Sequence, residues 1–152
     1  HSAEDAAAEI LEQNRDCDVV IFLGDGERRF ELAMAESGLN ICGSERQQVY
    51  QVAGNCDWDS TEALEIIPEF SGYSFFVSHG HTSGVKSEAG RNTLALKAAS
   101  RGCRAALFGH THRRWYEENN GVILFNPGAV QNYQYGVITI DENGMNFQHR
   151  EL

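Results

Sequence analysis

Four short apolar runs in this chain each end in a small residue and then in side chains that hold metal ions. Leu23-Gly24 leads to Asp25, Ala53-Gly54 to Asn55-Cys56-Asp57, Val77-Ser78 to His79-Gly80-His81, and Phe108-Gly109 to His110-Thr111-His112. Four of the six histidines lie in the last two clusters. Imidazole nitrogen and carboxylate oxygen, without paired thiols, suit borderline divalent cations such as Zn, Mn, Fe or Ni. The set Asp25, Asn55, His79, His110 and His112 exceeds the three protein ligands of a mononuclear catalytic zinc. A carboxylate such as Asp25 can bridge two cations, so the expectation is a two-metal site with ions roughly 3.5–4 Å apart. One His or Asp after a strand is usually a turn or cap residue. Four such endings together ask for a common cause.

The elements that must position these residues follow from periodicity. Ser2-Ala-Glu-Asp5 matches a capping box with Ser2 as N-cap, and predicts a helix over about 3–14. Asp18–Leu23 reads as a buried strand and Glu27–Ser37 as a helix stopped by Gly38. Strands are expected at Val49–Val52, Ala63–Ile67 (ended by Pro68), Tyr73–Val77 and Arg104–Phe108, with a helix over Ser87–Arg101. From Trp115 onward only strands and turns are expected: Trp115–Glu117, Val122–Phe125, Tyr135–Ile140 and Met145–His149, with turns at Asn119-Asn-Gly121, Asn126-Pro-Gly128 and Asn143-Gly144. Alternating strands and helices predict a largely parallel sheet in the first two-thirds. The strand-rich tail predicts an antiparallel second sheet. In open α/β sheets ligands gather beyond the carboxyl ends of strands. If the four strands lie side by side, the four clusters converge on one edge.

With 152 residues the chain has the length of one domain, read here as a single unit over 1–152. Twelve basic residues against 22 acidic ones give a formal charge of -10, which disfavours anionic membranes and long nucleic acid as partners. No apolar run approaches the ~20 residues of a membrane span, and no signal peptide is visible. Cys17, Cys42, Cys56 and Cys103 form no C-x-x-C pair. A reducing, cytoplasmic setting is therefore expected. A chain that opens on His1 rather than Met is expected to be processed, cut or incomplete.

The run Gly24-Asp25, Gly54-Asn-Cys-Asp57, His79-Gly-His81, Gly109-His-Thr-His112 and Asn126-Pro-Gly128 resembles the calcineurin-like metallophosphoesterases, and within them the small YfcE-type phosphodiesterases. That resemblance implies a four-layer α/β/β/α sandwich with a dinuclear centre on the strand ends. It makes Asp25 the bridging ligand. Asn55, His79 and His110 become the other ligands of the second metal, and His112 a ligand of the first. Asn55 would also hold a phosphate oxygen, and His81 would stand near the phosphate. The family opens with a strand ending in Asp-x-His, then Gly and a helix. His1 resembles the second member of that motif, with Ser2 where Gly is usual. The first strand and its Asp are missing, so the chain is read as truncated at its N-terminus and as weak or inactive in this form. A tag or cloning remnant is the other reading of His1. Where the wider superfamily often has His after the Asn, this chain has Cys56, a weaker acid for a leaving group. A small residue packed in a turn is the plainer reading of Cys56.

The resemblance implies metal-dependent hydrolysis of a small diester or a nucleotide by two divalent ions (Mn, Ni, Zn or Fe) that activate a bridging water. Asp57 is expected either to orient Asn55 or a histidine, or to be an ordinary turn aspartate. Two other readings stay open. One is a non-catalytic metal-binding or interaction scaffold of the same fold, like the small retromer subunit. The other is a relic that binds one metal. Arg28-Arg29 and Arg113-Arg114 read as solvated faces, Trp58 and Trp115 as packing or surface aromatics, and His149 as a surface residue. The Trp115–Glu118 hairpin and the edge of the second sheet offer a surface for a homo-oligomer.

Overall fold

The computed structural model describes residues 3–39 and 47–152. His1, and Ser2 as N-cap, lie outside the described residues. The first layer is a pair of helices, α1 (Ala3–Gln13) and α2 (Glu27–Glu36). Leu11, Phe30, Ala33 and Met34 form their buried face, and they pack on Val20, Phe22 and Val49. The spacing of Phe30, Ala33 and Met34 is the apolar stripe of a helix with one buried side.

Strand β1 (Val19–Phe22) pairs in parallel with β2 (Gln48–Gln51). Alternation gives β1 two apolar faces. Val20 and Phe22 meet the helices, with the Phe22 ring stacked 4.4 Å from Phe30. Ile21 and Leu23 meet the next layer. That layer is a six-stranded sheet around parallel β5 (Tyr73–Ser78), β6 (Ala105–Leu107) and β8 (Val122–Pro127). Strands β3 (Glu65–Ile66) and β4 (Glu69–Phe70) run antiparallel to β5, and β7 (Arg114–Asn119) antiparallel to β8. On its inner face Phe75, Val77, Ala105, Leu107 and Phe125 bury against β1 and against the hairpin of β9 (Gln134–Asp141) and β10 (Gly144–Glu151). On its outer face Phe76, Ala106 and Leu124 bury against Leu94, Ala95 and Ala98 of α3 (Glu88–Ser100). Each large side chain in these seams stabilises the fold by roughly 1.5–3 kcal/mol. Ser87 caps α3, accepting from the Gly90 N–H at 3.0 Å.

The result is the α/β/β/α sandwich, with two differences from the sequence expectation. The four strands expected to carry ligands do not share a sheet: β1 and β2 form one parallel pair, and β5 and β6 belong to the other sheet. The tail does not form one second sheet either. Strands β7 and β8 complete the large mixed sheet, and β9–β10 pair only with each other. Apolar periodicity reports that a strand is buried but not which neighbour it bonds to. Among the described residues no helix is long and apolar enough to cross a membrane.

Candidate metal centre

The two sheets bring Asp25, His79 and His110 together, each with a ligand atom within 4.8 Å of the others'. His79 is the hub. It is 2% exposed, and its Nδ1 lies 2.7 Å from the Leu23 carbonyl. A carbonyl only accepts, so Nδ1 carries the proton and donates. Burial pushes the His79 pKa down, outweighing that bond and the Asp25 charge, so the ring is held neutral. Its Nε2 is then a bare lone pair. It faces Asp25 Oδ2 at 3.2 Å, Asn55 Oδ1 at 3.1 Å and His110 Nδ1 at 3.2 Å. The Asp25 and Asn55 oxygens are acceptors and repel that lone pair unless a cation lies among them. This donor set fits a divalent metal of the borderline kind, and the carbonyl behind Nδ1 is the usual support for a ligating imidazole.

Backbone geometry aims these groups. Asp25, His110 and His112 have φ of 63°, 64° and 58°. Left-handed conformations at non-glycine residues cost of order 1–3 kcal/mol and persist only where the surroundings impose them. Around Asp25 the imposing group is Asp57. Its Oδ2 accepts from the N–H groups of Asp25 (2.8 Å) and Gly54 (2.9 Å), and its Oδ1 from Gly26 (2.7 Å) and Glu27 (3.2 Å). Burial pushes the Asp57 pKa up, but these four bonds more than offset it and hold the carboxyl below its usual range. Asp57 thus acts on backbone, capping α2 from another loop and fixing the Asp25 turn. Gly24 and Gly54 make the close approach between those loops, since a Cβ on Gly24 would lie 2.7 Å from the Gly54 nitrogen. Asp25 itself is held by the Cys56 N–H, which donates to Oδ1 at 2.8 Å.

Asn126 imposes the geometry around His110. It is fully buried, and its Nδ2 donates to the Gly109 carbonyl (2.8 Å) and to Thr111 Oγ1 (3.1 Å). Its Oδ1 accepts from the Gly128 N–H at 3.0 Å. The Asn126-Pro-Gly128 motif was visible in sequence, yet nothing there assigned it this clamp. Burial first, then the Lys86 ammonium, pushes the His110 pKa down. His81 stands beside the hub with ring centroids 5.4 Å from His79 and 6.1 Å from His110. Its buried Nδ1 has no hydrogen-bond partner.

Other expected site residues stand apart. His112 is exposed and outside the close trio, with Gln131 Nε2 at 3.1 Å from its Nδ1. Gln131 was not anticipated. His1 lies outside the described residues. Cys56 is exposed rather than packed, and its pKa is raised by the Asp25 charge first and then by desolvation, so the thiol stays protonated near neutrality. His149 is not a surface residue. It is half-buried, its ring stacked 4.6 Å from Phe125 and its Nε2 2.8 Å from the Asn126 carbonyl. Arg28 and Arg29 are exposed, as expected of a solvated face. Arg114 is tied to β10 by Glu151 at 2.8 Å.

With this geometry in hand, comparison with known proteins settles the class. The calcineurin-like phosphoesterase superfamily domain matches residues 1–143, and the chain belongs to that family. It is 33% identical over 72 residues to a phosphodiesterase of Methanocaldococcus jannaschii, covering 47% of this chain and 39% of that protein. It is 26% identical over 98 residues to the probable metallophosphoesterase YsnB of Bacillus subtilis, covering 60% and 57%. The chain therefore spans about half the length of the curated relatives it matches. A predicted phosphoesterase from Streptococcus pneumoniae has the same fold, with a TM-score of 0.72 at 18% identity over 99% of this chain and 84% of that one. So does a double mutant of Vps29 from Entamoeba histolytica, with a TM-score of 0.70 at 15% identity over 95% and 87%. The family and the names of the relatives support metal-dependent phosphoester hydrolysis in general.

Proposed function

We propose that this chain hydrolyses small phosphodiesters, including nucleotides, with a dinuclear divalent-metal centre. The observation that carries the reading is the bare Nε2 of His79 facing Asp25 Oδ2, Asn55 Oδ1 and His110 Nδ1. Asn55, His79, His110 and Asp25 would hold one ion. Asp25, His112 and His1 would contribute to the other. Such ions, of the Mn, Ni, Zn or Fe type, lower the pKa of a water and offset charge on phosphoryl oxygens. The chain's own residues do the positioning. Leu23 fixes the His79 tautomer, Asp57 fixes the Asp25 turn, and Asn126 fixes the His110 loop. His81, with a buried unpartnered nitrogen, would stand as a donor toward a phosphate oxygen. Cys56, protonated and exposed, is a weak proton donor to a leaving group.

The test is turnover of bis(4-nitrophenyl) phosphate with added Mn or Ni, with calorimetric metal stoichiometry alongside. Turnover with two ions per chain, both lost in Asp25→Ala, is expected. Wild-type turnover in Asp25→Ala would sink the two-metal reading. The second reading, a non-catalytic scaffold, fits the fold likeness to Vps29. It predicts metal binding without turnover of any ester.

A further inference from the structure

Beside the candidate centre lies a groove of about 360 Å³, within the size range of small-ligand pockets. It shares a wall with the metal-ligand loop. Phe108, which precedes Gly109-His110, and Thr111, between the two histidines, both line it. Buried Val85 and Phe108 form apolar lining. All the charged residues lining it are cationic: Lys86, Arg91 and Arg113. That is unexpected in a chain with 22 acidic and 12 basic residues.

The three cations are not equivalent. Arg91 is committed to building the wall. Its Nη1 donates to the Val85 carbonyl at 3.2 Å, its guanidinium lies 4.3 Å from the Trp115 ring centroid, and Glu117 stands 3.9 Å from its Nε. Lys86 and Arg113 are exposed, and neither has an ion pair among the described residues. The Arg113 backbone is nevertheless fixed, its N–H donating to Thr111 Oγ1 at 3.2 Å. Two uncompensated positive charges on one groove are matched by a dianion. Near neutral pH a terminal phosphate carries about that charge, whereas a carboxylate carries one. Guanidinium and ammonium donors suit phosphate oxygens.

We infer that this groove is a subsite for a second, terminal phosphate on the substrate, held by Lys86 and Arg113. The preferred substrate class is then a phosphodiester that also bears a phosphate monoester. This deepens the phosphodiesterase reading and rests on it for the reacting bond.

The test compares thymidine 5′-(4-nitrophenyl phosphate) with its 3′-phosphorylated form, which differ by one phosphate. In parallel, calorimetry compares thymidine 3′-monophosphate with thymidine on the chain in chelator. The 3′-phosphate is expected to raise kcat/KM and to tighten binding by roughly tenfold, the scale of one charge-assisted hydrogen bond. Both ratios should fall toward one in Lys86→Gln/Arg113→Gln, whose folding is checked by its thermal transition. Equal affinity for thymidine and its 3′-monophosphate would overturn the subsite, and so would a preference that survives the double substitution. Absence of turnover with the binding preference intact would reject the hydrolase reading and leave the phosphate subsite standing.

Discussion

Asp57 and His79 are single residues whose effect depends on one proton each. The Asp57 carboxylate accepts four backbone N–H groups from two loops. Removing it leaves those donors short of an acceptor in a half-buried place. Asp57→Ala is expected to lower stability by about 1.5–3 kcal/mol, read from urea unfolding at pH 7. The sign of its pH dependence follows from its depressed pKa. The unfolded chain binds the proton more readily, so the stabilisation is present above the unfolded value of about 3.9 and is lost as pH falls through the folded value. Wild type and Asp57→Ala should therefore converge in stability on acidification. A gap that stays constant from pH 7 to pH 2 would reject the role of the ionised carboxylate. Much at this scale was legible in sequence. His79, His110, Asp25 and Asn55 stood out because their types and their places after strands both point to metal. Asp57 was noticed, but three of its four partners are main-chain groups some thirty positions away, which no side-chain pattern announces. His149 was misread because sequence distance from the clusters says nothing about where a hairpin folds back.

At the scale of elements, the site is a set of loop tips held by neighbours rather than by their own strands. The end of β8 holds the loop after β6: Asn126 bonds the Gly109 carbonyl and Thr111 Oγ1, and the Asn126 carbonyl faces His149 of β10. Asn126→Ala removes the acceptor of one half-buried N–H and the donor to one half-buried carbonyl. A loss of about 1–3 kcal/mol is expected in chemical unfolding. The positive φ of His110 then lacks its clamp, so metal affinity should fall by about 10–100-fold, the usual effect of removing a support behind a ligand. Unchanged metal affinity by calorimetry would show that the loop holds its conformation without β8. Sequence reading captured most strands and all three helices to within a few residues, because each buries a strongly periodic face. It missed the two-residue strand β4 beyond Pro68, which is too short to have a period. Sheet membership was also missed. Burial on both faces makes β1 and β5 read alike, although one is backed by α1 and α2 and the other by α3.

Across the whole molecule, the candidate ligand set bridges two layers. Asp25 and Asn55 follow β1 and β2, and His79 and His110 follow β5 and β6, which lie in a different sheet. The layers otherwise meet through apolar packing, in which Ile21 and Leu23 face Val77, Leu107 and their neighbours. A cation among the four side chains would tie the carboxyl ends of both sheets together, and the acidic excess of the chain favours its arrival. A ligand that binds only the folded state stabilises it by about 2.7 kcal/mol at a hundred times its Kd. For a domain of this size each kcal/mol moves Tm by roughly 2–4 °C. Saturating Mn or Ni is therefore expected to raise Tm by roughly 5–10 °C, and a chelator should reverse it. Asp25→Ala should abolish most of the shift, because it removes the carboxylate that faces His79 from the opposite sheet. A shift of full size in that variant would place the stabilising ion elsewhere, and the two sheets would then be held by their apolar seam alone.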